Sequence, residues 1–222
     1  MAYLSDDVLR FVRAVGPQPD EVLREMDAYA EREGFPHVGP EVGGFLRFLA
    51  GVAGAKRVLE FGSGYGYSAY WFADALPDDG EIVLTEVNRE LLDMAREYLE
   101  RGGYGTIATY EHGDAIETVE RYDGPFDVVL IDHQKHRYVE ALEAVRGKLA
   151  SGAVVVADNA MSAADVVVFE DLLDHVEGGS PDLNEGTRGI AAYLDHVRAD
   201  PAFETTVLPL GEGIALSRFR PE

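Results

Sequence analysis

The chain contains no cysteine. That absence excludes disulfide frameworks, zinc–thiolate sites, iron–sulfur clusters and cysteine nucleophiles. Lysine is scarce: Lys56, Lys135 and Lys148 stand against sixteen arginines. Long hydrophobic runs are missing, and a stretch such as Ala153–Ala157 is far too short to span a membrane. The opening residues, Met1 to Asp7, lack the basic-then-apolar order of a secretory signal, so a cytoplasmic protein is expected. Internal repeats, linkers and low-complexity tracts are also lacking. A chain of 222 residues is expected to form a single domain over 1–222, with N-terminal helices in 1–52 and the main sheet in 53–222.

What the chain has in abundance is acid. Asp and Glu number 41 against 19 Lys and Arg, a formal charge of -22, yet 46% of residues are hydrophobic and can fill a core. So much negative charge with so little lysine suits a salt-saturated cytoplasm, where carboxylates hold hydrated cations and the Debye length falls to about 3 Å at 1 M. A nucleic-acid partner is disfavoured, because no basic stripe faces the phosphates.

The first third reads helical. Leu4, Val8, Leu9, Val12 and Val15 recur at helical spacing, from a Ser5 cap to a stop at Gly16-Pro17. A second stripe, Val22, Leu23, Met26 and Tyr29, ends at Gly34, and a third helix runs from Pro40 to Val52 with Val42, Phe45, Leu46 and Leu49 inward. Strands and helices then alternate. Strands are predicted at Arg57–Phe61, Glu81–Glu86, Thr106–Tyr110, Phe126–Asp132 and Ala153–Asp158, with helices at Tyr67–Leu76, Arg89–Arg101, Ala115–Arg121 and His136–Leu149 between them. The pattern predicts an α/β fold whose parallel sheet is covered on both faces. Helices near Ala163–Val176 and Thr187–Arg198 precede Phe203–Leu208 and Ile214–Phe219, joined through Pro209-Leu-Gly-Glu-Gly213 as a hairpin, so the last strand is expected to run antiparallel.

The chemistry gathers at the strand ends. Glu60-Phe-Gly62-Ser-Gly64-Tyr-Gly66 leaves the first strand and opens a helix. Taken alone, the glycines fit a tight turn or a nucleotide site equally. Their third member comes one residue too early for a dinucleotide fingerprint, and Glu60 would sit awkwardly beside a pyrophosphate. S-adenosylmethionine, an adenosine without phosphate, fits better, with Glu86 placed for ribose hydroxyls and Asp114 near the adenine. Asp132 and Asp158-Asn159 end two further strands. Singly such residues are turn-formers, but together they offer three oxygens to a hard cation such as Mg2+ or Mn2+. Lys135 can reach the same pocket as a titratable amine, a role closed to arginine, or cap a solvent-facing helix. His133 and His136 lack a third ligand at zinc spacing.

The runs Ile131-Asp-His-Gln-Lys-His-Arg-Tyr138 and Ala157-Asp-Asn159, with Glu60 to Ser68 and Glu86-Val-Asn88, resemble the metal-dependent class I O-methyltransferases of the catechol and caffeoyl-CoA types. The resemblance extends from about Val38 to Phe219. It implies a Rossmann-like, mostly parallel seven-stranded sheet, a metal held by Asp132, Asp158 and Asn159, and Lys135 as general base. It also implies a cofactor site lined by Val38, Glu60, Gly62, Gly64, Ser68, Glu86, Asp114, Asp132 and His133, with Val38-Gly39 closing over the methionine end. Asp132 to Tyr138 is nearer the catechol type, but Gln134 stands where that type carries tryptophan, and Glu177–Gly189 matches neither branch.

The reaction expected is methyl transfer from S-adenosylmethionine to a small vicinal-diol, catechol-like acceptor, by a monomer or homodimer. An NAD-dependent oxidoreductase would share the fold and the ribose acid, and a non-catalytic S-adenosylmethionine-binding module would share the glycine turn. The glycine spacing opposes the first; Asp132, Lys135, Asp158 and Asn159 oppose the second. A nucleic-acid methyltransferase is disfavoured by charge.

The charge has a consequence that can be measured. Removing salt exposes self-repulsion of several kcal/mol, comparable with a whole stability margin of about 5–15 kcal/mol. The melting temperature is expected to rise steadily as KCl is raised into the molar range. A melting temperature indifferent to KCl would refute adaptation to salt.

Overall fold

The computed structural model describes residues 4–221; the expectations for the first residues of the chain lie partly outside these. Three helices lead: α1 (Asp6–Val15), α2 (Glu21–Glu33) and α3 (Gly39–Ala53). Their ends follow from local chemistry. Asp20 caps α2 by accepting the Leu23 N–H at 2.8 Å, and Gly34 ends it in the left-handed region at φ 64°.

Alternation begins at β1 (Arg57–Phe61) and continues through α4 (Tyr67–Ala73), β2 (Glu81–Glu86), α5 (Arg89–Arg101), β3 (Ala108–His112), α6 (Ala115–Val119) and β4 (Phe126–Ile131). A 3-10 turn, Lys135–Arg137, leads into α7 (Tyr138–Arg146), then β5 (Leu149–Ala157), α8 (Phe169–Val176), α9 (Glu185–Ala199), β6 (Phe203–Leu208) and β7 (Ile214–Phe219). The strands form one seven-stranded sheet in the order β3-β2-β1-β4-β5-β7-β6. All pairs are parallel except those of β7, which runs antiparallel to both neighbours, as the hairpin predicts.

The central strands are buried on both faces. Leu59, Phe61, Val129 and Ile131 point into one apolar layer with Tyr138 and Leu142 of α7 and Ile190 and Val197 of α9. Val58, Leu84, Leu130 and Val156 point into the other, with Met26 of α2, Leu46 of α3 and Trp71 of α4. This explains their unbroken apolar sequences, which a half-exposed strand would not have. Val42 and Leu46 are buried and Phe45 and Leu49 partly so, as the third stripe predicts.

Several boundaries differ from expectation. The stretch from Ala163 is not helical: Ala163 and Val167 form an isolated bridge around Ala164, whose φ is 36°, and α8 starts only at Phe169. The β-branched run Val166-Val-Val168 disfavours helix there. The predicted helix over His136–Leu149 gives way at Gly147, and Leu149 already belongs to β5. The third strand lies two residues later, because Ile107 donates back to Tyr104 and closes a turn.

Helix α9 braces the segment that carries Lys135. A methyl group added at Gly189 would collide with the Lys135 carbonyl oxygen and the His136 Cα, both main chain. In an open helix, Gly→Ala gains about 1 kcal/mol. Here overpacking against backbone, typically costing about 1–3 kcal/mol, reverses the sign. Gly189→Ala is therefore expected to lower the chemical-denaturation free energy. An equal or greater stability would mean that α9 and the Lys135 turn part without cost.

Candidate active site

At the carboxyl ends of β1, β2, β4 and β5 lies a cleft of about 630 Å3, roofed by Phe35 to Val38 between α2 and α3. This is the crevice where open parallel sheets bind ligands, beside the reversal of strand order. Of the twelve candidate site residues, eleven line it: Val38, Gly62, Gly64, Ser68, Glu86, Asp114, Asp132, His133, Lys135, Asp158 and Asn159.

The exception is Glu60. It is wholly buried at the end of β1, behind the glycine turn rather than in the cleft wall. Burial pushes its carboxyl up to about 7, opposed by the nearby Ser68 and Ser63 hydroxyls, yet neither carboxylate oxygen has a hydrogen-bond partner. Strand alternation explains the placement. Glu60 shares the face of Val58, directly beneath the cleft-lining Ser63 and Ser68.

The glycine turn is held from β2. Gly64 N–H donates to Glu86 Oε2 at 2.9 Å, and Glu86 Oε1 accepts from Asn88 N–H at 2.9 Å. Glu86 therefore shapes the turn as well as facing the cleft. Gly62, at φ 86°, passes so close to the end of β4 that a Cβ would lie 2.8 Å from the Asp132 carbonyl oxygen. No side chain fits there. Asp114 caps α6 through Oδ1, which accepts from Ile116 N–H at 2.9 Å, while its Oδ2 pairs with Arg137. The Arg137 guanidinium, more than the cap, holds the Asp114 carboxyl below its usual range.

Register brings the oxygen cluster together. Ile131 lies opposite Ala157, so Asp132 and Asp158 leave adjacent strands side by side. Asp158 is buried, its Oδ1 has no partner, and desolvation, reinforced by the Asp132 charge, pushes its carboxyl above the normal range. Asn159 turns through φ 55° and donates its Nδ2 to Glu212 Oε2 at 2.6 Å, which leaves Oδ1 without that bond. Among the described residues no three His, Asp or Glu side chains alone make a metal cluster, so a third oxygen has to come from the Asn159 amide. Two carboxylates, one with an unmet oxygen, and an amide oxygen suit a hard cation.

Lys135 Nζ donates to Asp132 Oδ1 at 2.8 Å and to Tyr138 Oη at 2.9 Å, and Tyr138 Oη donates to the Asp158 carbonyl at 3.2 Å. Tyr138 is wholly buried, which holds its phenol well above the ordinary range, so it stays protonated. His133 stacks on Tyr138 at 5.6 Å, and burial pulls its imidazole down to about 4, so the ring is neutral with both nitrogens unpartnered.

Three residues here escaped sequence reading. In the sequence Tyr138 and Arg137 appear as members of the run Ile131 to Tyr138, with no role of their own in the site, and Glu212 only as part of the hairpin connection. Only the proximity of Tyr138 to Lys135 in one motif could have flagged it. Conversely, Glu177–Gly189 contributes nothing to the cleft wall. It supports those segments that do: Thr187 Oγ1 accepts from Val168 N–H at 2.9 Å, and Gly189 abuts Lys135.

The chain is similar to known proteins in sequence and fold. A family model described as O-methyltransferase matches residues 18–220. A catechol O-methyltransferase from Niastella koreensis is 31% identical over 202 residues, 88% of this chain and 86% of that protein. Tricin synthase 2 from Oryza sativa subsp. japonica is 29% identical over 92% of this chain and 71% of its own. The O-methyltransferase TomG from Streptomyces achromogenes, involved in tomaymycin synthesis and solved in complex with SAM, superposes with a TM-score of 0.85 at 25% identity, over 97% of this chain and 96% of that one.

Glu60 provides a test of the unliganded site. Folded Glu60 keeps its proton up to about pH 7, whereas an unfolded glutamate releases it near 4.5. Between those values the folded state binds more protons, so stability falls as pH rises through the window. Glu60→Gln removes this effect. Its stability relative to wild type is expected to be near zero at pH 4.5 and to favour the variant by roughly 3 kcal/mol at pH 8. A constant difference across that range would mean that Glu60 is charged in the fold.

Proposed function

The chain belongs to the O-methyltransferase family, and from that premise we propose that it methylates one hydroxyl of a small vicinal diol of catechol type, using S-adenosylmethionine and a divalent cation such as Mg2+. When bound, S-adenosylmethionine supplies a methyl group on a sulfonium, and the cation supplies Lewis acidity that favours ionisation of a hydroxyl and orients it. The observation that carries this reading is the meeting of Asp132, Asp158 and Asn159 around an unmet buried carboxylate oxygen, with an amine 2.8 Å from Asp132. A cofactor-binding module would have no use for that set.

The residues take separate roles. Backbone from Gly62 to Gly64, held by Glu86, cradles the cofactor without intruding side chains, and Phe35 to Val38 exclude water above it. His133, neutral and unpartnered, offers a hydrogen bond without adding positive charge beside a sulfonium. Asp132, Asp158 and Asn159 would hold the cation. Lys135, as the neutral amine, would take the hydroxyl proton as the acceptor oxygen bonds to the methyl carbon and the S–CH3 bond breaks, its electron pair staying on sulfur as a thioether. Tyr138 accepts one Lys135 N–H and is itself fixed by the Asp158 carbonyl, so Nζ is aimed before the acceptor arrives. Tyr138 is thus a positioning residue. The charge of -22 supports a working environment of high salt, in a salt-rich cytoplasm.

A methyl-transfer screen over catechols, caffeoyl esters and flavonoids in molar KCl, with Mg2+ or a chelator, tests the reading. Turnover is expected with vicinal diols and Mg2+ only. Lys135→Arg keeps N–H donors at this position but cannot take a proton, so kcat is expected to fall by roughly 10²–10⁴-fold, partly recovered at high pH. Asp158→Ala is expected to abolish turnover while calorimetry still detects S-adenosylmethionine binding. Near wild-type kcat in Lys135→Arg at neutral pH would remove the lysine from the mechanism.

A further inference from the structure

Asn159 is the weak point of the oxygen cluster. A carboxylate presents oxygen whichever way it turns, but an amide presents oxygen on one side and an N–H donor on the other. A flipped Asn159 would aim two hydrogens at the place where a cation needs an electron pair. Something must choose the orientation.

Glu212 is placed to choose it. Its carboxylate is acceptor-only, and Oε2 takes the Asn159 Nδ2 hydrogen at 2.6 Å, so nitrogen faces the hairpin and Oδ1 is left for the cleft. The contact spans fifty-three residues, between the β6–β7 turn and the end of β5. Backbone bonds clamp both sides. Ala160 N–H donates to the Gly213 carbonyl at 2.8 Å, and Met161 and Ser162 N–H donate to the Glu212 carbonyl at 3.2 and 3.0 Å. Asn159 itself sits at φ 55°, a conformation asparagine tolerates better than most residues, and this turn directs its side chain toward Glu212. Glu212 also lines the cleft.

We infer that Glu212 is a positioning residue that fixes the Asn159 amide with its oxygen toward the cation site. The inference rests on the divalent-cation reading above and adds to it a residue outside the ligand set. Outer partners of metal ligands typically change affinity by 10–100-fold when removed. The orientation role makes a sharper demand than charge alone. It applies only while residue 159 is an amide, since with aspartate both ends are oxygen.

The test is Mn2+ binding to the full chain in molar KCl, without acceptor, followed by electron paramagnetic resonance. S-adenosylmethionine binding is measured beside it by calorimetry to report the integrity of each variant. Glu212→Ala is expected to weaken Mn2+ binding by about 10–100-fold, with cofactor affinity within about twofold of wild type. Glu212→Gln, which can accept the same N–H, is expected to retain most of the affinity. In an Asn159→Asp background, Glu212→Ala is expected to cost less than about twofold, because no amide remains to be oriented. Equal losses in both backgrounds would overturn the inference, since Glu212 would then act by charge. Wild-type affinity in Glu212→Ala would overturn it as well. If the wild-type protein bound no Mn2+ at all, the cation reading would fall first and this inference with it, an outcome distinct from the other two.

Discussion

Ile131 lies beside Ala157 in a parallel register, and Gly62 passes the end of the same strand at a distance that leaves no room for a Cβ. On this convergence of β1, β4 and β5 the remainder of the site depends. Parallel strands advance about 3.3 Å per residue, so a slip of one position would carry Asp132 away from Asp158 and turn its side chain to the opposite face. The register is held by apolar residues on both sides of the sheet, not by the polar residues it presents. Core packing therefore does the positioning, and the strand ends are free to carry charge.

Those ends carry it at some cost to the unliganded fold. Glu60 and Asp158 are buried carboxyls without full hydrogen bonding, each raised above the ordinary range by desolvation. Neither arrangement would persist for stability alone. For Asp158 the proposed cation would relieve that cost. Glu60 has two serine hydroxyls near it, both on residues that line the cleft. Around this strained centre the neighbouring polar groups are paired: Lys135 with Asp132 and Tyr138, Arg137 with Asp114, Glu86 with the glycine turn. Such pairing limits the conformations open to the cleft before any ligand enters.

Much of this was legible in the chain. Near-continuous apolar runs at β1, β4 and β5 announce strands buried on both faces, and the glycines of the hairpin announce the antiparallel return. Where the reading slipped, a local signal competed with a tertiary one. Ala163 to Val168 have helical neighbours, but a bridge between Ala163 and Val167 and the support of Thr187 hold them as a loop. Leu149 fits the apolar stripe of α7, yet it pairs with Phe126 in the sheet. Glu60 belongs to the glycine motif by position, but the two-residue period of β1 sends its side chain under the turn.

The sequence by itself determined the order of elements, the chemistry at each strand end and the acidic surface, because these depend on residue type and on spacings of two to four positions. Only the tertiary structure decided which groups meet. Arg137 with Asp114, and Glu212 with Asn159, are joined by the meeting of separate elements, over twenty-three and fifty-three positions. No local period encodes these contacts. They exist because the sheet order places the β6–β7 turn over the end of β5, and the start of α6 beside the turn that follows β4.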